Sequence, residues 1–433
     1  MPFEEFIENK RMKRMFVSLS FLLLLSVTYG QGKPITLEEC QQKTQDNYPL
    51  VSQYDLVEKT KAYSLTNASK GYLPQLALSA KASYQSEVTE LPVALPGVEL
   101  KGMPKDQYQM MLELQQQIWD GGAIRMQKKR VSAEAAVDRE KLNVDMYALT
   151  SRVNSLYFGI LLLDEQLTQN TLLQDELERS YTRISAYVAN GVANQADLDA
   201  VKVEQLNTKQ KRVELAASRM AYLKMLSLFV GEVLSQETVL EKPVVQNELS
   251  AVSDILRPEI SWFAAQEAGL IVQEKALNVR HLPHLGLFVQ GAYGNPGLNM
   301  LKNEFSPYYV AGVRLSWNFG SLYTLKNDRK VIENKRKQVN NNRNVFLFNI
   351  HLEMRQQDQS IRSLEKQMQD DDEIIRLRTN IRKSAEAKVA NGTLTVTEML
   401  RELTNESMAR QAKALHELQR LMGIYQLKYT ANH

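Results

Sequence analysis

The sequence predicts a mainly α-helical fold with a membrane β-barrel part, made of two tandem repeats of a strand pair and a long coiled-coil helical hairpin. Three observations predict it: short motifs occur twice in the same order, long stretches contain almost no proline or glycine, and four segments alternate apolar with polar residues. A repeated unit determines the fold of the whole chain.

The composition excludes several classes of protein. The 433 residues include 53 Lys and Arg against 50 Asp and Glu, so a net charge of +3 provides no basic face for nucleic acid. A charged fraction of 24% is too high for a polytopic helical membrane protein, and a hydrophobic fraction of 44% is too high for a disordered chain. Cys40 is the single cysteine and the five histidines are scattered, so we expect no intrachain disulfide, metal site or cofactor. Nucleophile, phosphate-loop and metalloprotease motifs do not occur, and we predict no catalytic residues and no enzyme activity.

Residues 1–30 are predicted to be a signal peptide. Lys13 and Arg14 precede the apolar run Phe16–Val27, and Gly30 supplies a small residue at a cleavage point. The run of about 12 residues is shorter than the ~20 that a transmembrane helix needs. An N-terminal anchor helix is the alternative interpretation.

The rest of the chain contains one unit twice. We predict a first repeat at 31–231, an equatorial linker at 232–256 and a second repeat at 257–433. The paired motifs are Leu73-Pro74 and Leu282-Pro283, Trp119-Asp120-Gly121-Gly122 and Trp317-Asn318-Phe319-Gly320, and Val188-Ala189-Asn190-Gly191 and Val389-Ala390-Asn391-Gly392.

Each repeat ends in a predicted helical hairpin. Proline is absent between Pro104 and Pro243 and after Pro307, which favours long helices. We predict helices at 123–189 and 195–228 with a tip at 190–191, and at 322–390 and 395–428 with a tip at 391–392. Alternating steps of four and three residues indicate a coiled-coil seam; its positions are Leu142, Met146, Leu149, Val153, Leu156, Ile160, Leu163 and Leu167.

Four segments have the period of two that is typical of β-strands, at about 74–85, 107–119, 284–293 and 308–319. Each has roughly the length of a transmembrane strand. Aromatic residues at the strand ends are predicted to lie at the membrane interfaces; they are Tyr84, Tyr108, Tyr293 and Tyr308 at one end and Trp119 and Trp317 at the other. A soluble sandwich, with the apolar face as its core, explains the alternation equally well.

Four strands cannot close a barrel. Open sheet edges are excluded from lipid, and the smallest membrane barrels have about eight strands. Eight strands from two chains would enclose side chains only, whereas twelve strands from three chains would enclose a lumen. If the strands span a membrane, the chain therefore oligomerises, and a homotrimer is the smallest assembly with a pore.

Together these features resemble the TolC-like outer-membrane efflux protein family, also called outer membrane factors. The resemblance covers the whole mature chain and rests on the Leu-Pro strand openings, Trp119-Asp120-Gly121-Gly122, Arg257-Pro258 and the two glycine-containing tips. It implies a trimer with a 12-stranded barrel in the outer membrane of a Gram-negative bacterium and an α-helical tunnel in the periplasm.

The resemblance also implies a function and partners. The expected function is the outer-membrane exit duct of a tripartite efflux or type I secretion system, a passive channel opened by a periplasmic adaptor (membrane fusion) protein and an inner-membrane transporter. The alternative is a periplasmic coiled-coil adaptor or scaffold without a pore. That alternative explains the hairpins but not the four alternating strands.

The resemblance assigns functional residues to the hairpin tips. Asp197 and Glu398 each follow a tip glycine by six residues and are expected to form a ring of six carboxylates at the periplasmic aperture of a trimer. Arg401 stands where a further acid is expected, and it could pair with Glu398 at i,i+3. Acids at a solvated helix N-terminus are the alternative interpretation.

The tips themselves are expected to contact the adaptor. The residues concerned are Gly191, Val192, Gly392 and Leu394. Their alternative role is only to form the turn between two helices.

Overall fold

The computed structural model describes residues 34–88, 104–244, 255–300 and 302–432. The predicted signal peptide and much of the predicted linker lie outside these residues. The helices are Leu37–Asn47 (α1), Ser52–Ser69 (α2), Ala123–Ala189 (α3), Gln195–Val230 (α4), Pro258–Val279 (α5), Leu322–Ala390 (α6) and Val396–Ala431 (α7). The strands are Gln75–Tyr84 (β1), Asp106–Trp119 (β2), His284–Asn295 (β3) and Ser306–Ser316 (β4).

The chain divides into two compact units, and each takes segments from both sequence repeats. Of the described residues, one unit comprises 34–47, 152–244 and 361–423, and it contains both hairpin tips. The other comprises the described residues of 48–151, 249–360 and 424–433, and it contains the four strands. Among the described residues, no helix combines the length and the apolar character that crossing a membrane would require.

The long helices lie in the stretches of the sequence that contain no proline. The observed bounds of α3 and α6 are those predicted, and α4 and α7 continue a few residues beyond the predicted ends. The coiled-coil seam of α3 is buried from Leu142 to Ile160, whereas Leu163 and Leu167 are half-buried. Gly231 ends α4 in the left-handed conformation (φ 77°), where glycine is favoured.

The four strands form one antiparallel sheet in the order β1-β2-β3-β4. Its outer strands, β1 and β4, have no further neighbour among the described residues. β4 ends at Ser316, earlier than predicted, because Asn318 begins a 3₁₀ turn and its side chain accepts a hydrogen bond from the amide of Gly320 (3.0 Å).

Strand pairing gathers the apolar positions of all four strands on one face, since directly opposite residues in an antiparallel pair share a face. Of the described strand residues on that face, Asp106 at the start of β2 is the only one with a charge. The apolar pairs include Leu76 with Leu114, Leu78 with Leu112, Leu287 with Val313 and Val289 with Ala311.

This apolar face is the more exposed side of the sheet. Met110 and Leu112 are 52% and 47% exposed, whereas Met111 between them, on the other face, is half-buried. β4 shows the same alternation from Ser306 to Val313. We infer from β2, β3 and β4 that the sheet curves away from its apolar side, so that the polar face is the concave one; the edge strand β1 is exposed on both faces. In the single chain the apolar face is not the core of a sandwich.

Candidate functional site

The two hairpin tips share one turn geometry. Gly191 and Gly392 both adopt left-handed conformations, with φ of 74° and 71°. In the first tip the amide of Val192 donates to the carbonyl of Tyr187 at 2.8 Å, and the second tip repeats this bond at 2.9 Å. Such a bond back across the last helical turn is the Schellman ending of a helix, which requires the left-handed residue.

Gly392→Val is expected to loosen the second tip, whereas Gly392→Asn leaves it ordered. No atom lies within 4 Å of a Cβ built at this position, so the cost comes from the backbone conformation alone, about 1–2 kcal/mol. Asparagine tolerates the left-handed region and valine does not. Hydrogen exchange of the amides around residue 392 measures the difference, and equal exchange in the two variants would contradict it.

A shared apolar cluster lies behind both tips. It joins all four long helices, α3, α4, α6 and α7. Leu394 is half-buried against this cluster, whereas Val192 is 52% exposed. Of these two predicted adaptor contacts, Val192 therefore offers more free surface. The buried members of the cluster are Leu177, Ile184, Val201, Ala385, Val389, Val396, Met399, Leu400 and Leu403.

Asp197 and Glu398 both occupy the third position of a helix that starts at a tip. The carboxylate of Asp197 accepts from the amide of Asn194 at 3.1 Å, while the Asn194 side chain accepts from the amide of Asp197 at 3.0 Å. Glu398 and Thr395 exchange the same pair of bonds at 3.1 and 3.2 Å. Both carboxylates therefore complete capping boxes.

The cap lowers the pKa of the exposed Glu398 carboxyl, mainly through the hydrogen bonds from Thr395 and to a smaller extent through the nearby charge of Arg401. A lowered pKa means that this bond supports the fold at neutral pH and is lost as the pH falls below the ordinary value of 4.5. The capping role and a role at an aperture are compatible, since the second carboxylate oxygen of each box stays available.

The predicted pair between Arg401 and Glu398 is not formed. The guanidinium of Arg401 lies 3.7 Å from the carboxylate of Glu402 instead. The reason is that Glu398 turns back toward Thr395 to cap the helix. The Arg401 side chain is 71% exposed.

A network of ion pairs connects three helices a few turns behind the tips. Arg382 of α6 contacts Glu406 of α7 and Glu386 of its own helix, each at 2.5 Å. Glu386 also contacts Arg183 of α3 at 3.2 Å, and Arg410 contacts Glu406 at 2.7 Å. The network thus attaches the second hairpin to the first.

The centre of this network is shielded from solvent. The side chains of Arg382 and Glu406 are 12% and 7% exposed. Burial alone would raise the pKa of Glu406, but hydrogen bonds from Arg410, Thr379 and Arg382 outweigh burial and keep the pKa below its usual value. The network could not be predicted from the sequence, because i,i+4 spacing shows pairs within a helix but not the partner on another helix.

The strand register locates the aromatic residues predicted for the membrane interfaces. Tyr84, Tyr108 and Tyr293 lie within a few residues of the sheet end at which β1 joins β2 and β3 joins β4. Trp119 lies at the other end, and a bulge between Gln117 and Trp119 places it opposite Leu285 on the apolar face. Trp317 directly follows β4 and is 52% exposed.

Tyr308 does not lie on the apolar face. It is opposite Ala292, and its hydroxyl accepts a hydrogen bond from Gln109 on the polar face. The pairing register turns Tyr309 outward instead, and Tyr309 is 78% exposed. Tyr309, rather than Tyr308, therefore shares the exposed apolar face with Tyr293.

The chain is similar to known efflux proteins. Residues 42–232 match the family model described as outer membrane efflux protein. No curated protein is significantly similar in sequence. Solved structures with the same fold include the outer membrane protein VceC of Vibrio cholerae (13% identity, 91% of this chain and 95% of that chain, TM-score 0.66). Others are the CmeC outer membrane channel of Campylobacter jejuni (14%, 91% and 85%, 0.64) and the open state of the MtrE outer membrane channel of Neisseria gonorrhoeae (13%, 91% and 88%, 0.62).

The fold is that of outer-membrane channels. The resemblance to TolC-like outer-membrane efflux proteins is confirmed, by the family model over residues 42–232 and by the fold over 91% of the chain. The mainly helical fold with repeated strand pairs and long hairpins is confirmed as well. The matched family and these neighbours are outer-membrane efflux proteins and channels rather than enzymes, in agreement with the expected localisation and the expected absence of enzyme activity.

Proposed function

We propose that this chain is the outer-membrane exit duct of a tripartite efflux or type I secretion system. It acts as a passive homotrimeric channel, in which each chain supplies four strands of a 12-stranded barrel. A periplasmic adaptor protein and an inner-membrane transporter open its periplasmic entrance.

The geometry of the sheet is the observation that carries this proposal. One face is apolar, exposed and free of charge except at a strand end, as lipid requires. The other face is polar and concave, as a water-filled lumen requires. Because unpaired strand edges are excluded from lipid, β1 of one chain is expected to pair with β4 of the next.

The two hairpin tips form the proposed periplasmic entrance of the duct. In a trimer, Asp197 and Glu398 would place six carboxylates around one opening, each held in orientation by its capping box. The Arg382 network keeps the second hairpin attached to the first. We propose that the resting entrance closes when these bonds are formed and that it opens when the adaptor and transporter shift the second hairpin.

A groove between α4 and α7 offers the adaptor a docking surface next to the tips. Its apolar part includes Ala200, Val203 and the buried Leu400, and its rims carry Glu204 and Arg401 with opposite charges. An α-helix with small apolar residues and flanking charges of both signs fits such a surface. With Gly191, Val192, Gly392 and Leu394, it is the proposed contact of the adaptor hairpins.

Purification from outer membranes tests the proposed function. We expect trimers that resist SDS at room temperature, dissociate on heating and form conducting channels in planar bilayers. A soluble periplasmic monomer without conductance would instead favour a scaffold without a pore.

The aperture is tested by removing charge without removing the caps. In Asp197→Asn/Glu398→Gln, the amide oxygens can still accept the capping bonds, so the fold should persist while blockade by hexamminecobalt(III) is reduced. The matched control is Glu214→Gln/Glu373→Gln, which neutralises two exposed carboxylates of i,i+3 ion pairs. Equal blockade in wild type and Asp197→Asn/Glu398→Gln would exclude these residues from the aperture.

A further inference from the structure

The concave face of the sheet carries few charged residues, and the positive ones outnumber the negative ones. Its described strand positions contain two residues that are positively charged at neutral pH, Lys81 and Arg314, one acidic residue, Glu113, and a histidine, His284, at the opposite end of the sheet from Lys81. The remaining polar positions are neutral. Most of them are glutamine and serine, which bind water and solutes of either charge without preference. The glutamines are Gln75, Gln107, Gln109, Gln115, Gln117 and Gln290.

Arg314 and Glu113 neutralise each other. The guanidinium lies 3.7 Å from the carboxylate and also covers the ring of Phe288, 4.8 Å from its centroid. Gln115 donates a further hydrogen bond to Glu113 at 2.7 Å. This pair therefore adds little net charge to the concave face.

Lys81 has no ion-pair partner in the part of the chain that the structure describes. It lies three residues from the end of β1, opposite Gln109, and it is exposed. This is the sheet end at which the strands of each pair are joined, away from the residues that lead into the helices. The described residues that adjoin the strands at this end carry both signs and add no excess of positive charge; they are Lys105 and Lys302, and Glu87, Asp106 and Glu304.

We propose that Lys81 forms the anion-selective ring of the outer section of the duct. The inference rests on the proposed trimer, in which three Lys81 ammonium groups face one lumen at one height. Charge rings of one sign favour permeating ions of the other sign. The duct would therefore favour exported solutes that carry carboxylate, phosphate or sulfonate groups over cations of equal size.

The expected effect depends on ionic strength. Charges act over about 10 Å at 0.1 M salt and about 30 Å at 0.01 M. Three ammonium groups around a water-filled lumen therefore act on the whole cross-section at low salt and only near the wall at high salt. The neutral glutamines around the ring do not reduce the positive electrostatic potential of the three ammonium groups.

The test is the reversal potential of single trimers in a gradient of dilute KCl, with citrate added to the outer side as a multivalent anion. All variants are made in the Asp197→Asn/Glu398→Gln background, which removes the proposed carboxylate ring at the entrance. In this background the trimer should favour chloride over potassium, and citrate should reduce its conductance. Lys81→Gln should lose both effects, and Lys81→Glu should favour potassium. Glu113→Gln/Arg314→Gln keeps the net charge of the face and should behave as the background trimer.

An unchanged reversal potential and unchanged citrate block in Lys81→Glu trimers that still conduct would overturn the Lys81 proposal and leave the duct intact. A preference for potassium in the Asp197→Asn/Glu398→Gln background that Lys81→Gln does not alter would also overturn it. Absence of any channel in wild-type protein would contradict the proposed function instead, so the two failures are distinguishable.

Discussion

Leu112→Arg is expected to prevent assembly of the proposed trimer in the outer membrane, whereas the adjacent Met111→Arg is expected to assemble. Leu112 lies in the middle of β2, opposite Leu78 and Gly291 on the exposed apolar face. An arginine on the lipid side of a barrel costs about 2–4 kcal/mol at the bilayer midplane, and a trimer contains it three times. Met111 points to the concave side, where water solvates an arginine at little cost.

The comparison is made by fractionating membranes and measuring heat-modifiable trimers of both variants. The two substitutions differ by one position along the chain, so differences in expression or strand propensity are small. Trimer yields that fall equally in both variants, or only in Met111→Arg, would contradict the assignment of the two faces.

Arg382→Met is expected to destabilise the region behind the tips far more than Arg376→Met. Removing Arg382 leaves Glu406 buried without its nearest cation, and breaking a buried pair costs about 3–5 kcal/mol, toward the low end here because Arg410 still contacts Glu406. Arg376 pairs with Glu373 at 2.6 Å, but both side chains are more than half exposed. Exposed pairs are worth about 0–1 kcal/mol.

Hydrogen exchange over residues 361–423 measures the loss of stability, and spontaneous channel openings measure its consequence at the entrance. In Arg382→Met the amide hydrogens of this region should exchange faster and the channel should open more often. Arg376→Met should resemble wild type in both measurements. Equal behaviour of the two variants would show that the Arg382 network does not keep the second hairpin in place.

Features encoded by neighbouring residues could be predicted from the sequence. Helices α3 and α6 begin and end where predicted, because glycine at the tips and the absence of proline between them act locally. The strands and their apolar positions could also be predicted from the sequence, since alternation is a property of each segment alone. The curvature of the sheet could not be predicted from the sequence, because it depends on how the four strands pair.

Features that depend on competition between partners could not be predicted. Arg401 lies one helical turn from Glu398, which favours a pair, but the backbone amide of Thr395 competes for the same carboxylate and forms a hydrogen bond with it. Tyr308 is a different case: alternation with Ala311 and Val313 already assigns the apolar face to Tyr309, and a position near the strand end does not decide the face. The Arg382 network needs residues from three helices that are far apart in sequence.

The most direct measurement is cross-linking of the two open edges of the sheet. Cysteines are introduced at Ser79 of β1 and, in separate variants, at Tyr308, Val310 or Gly312 of β4, all on the concave face, while the native Cys40 is fully buried. If β1 of one chain pairs with β4 of the next, at least one variant should yield covalent dimers and trimers on oxidation, and no larger species. Chains that remain monomeric in every variant, or ladders that continue beyond three chains, would contradict a barrel completed by three copies.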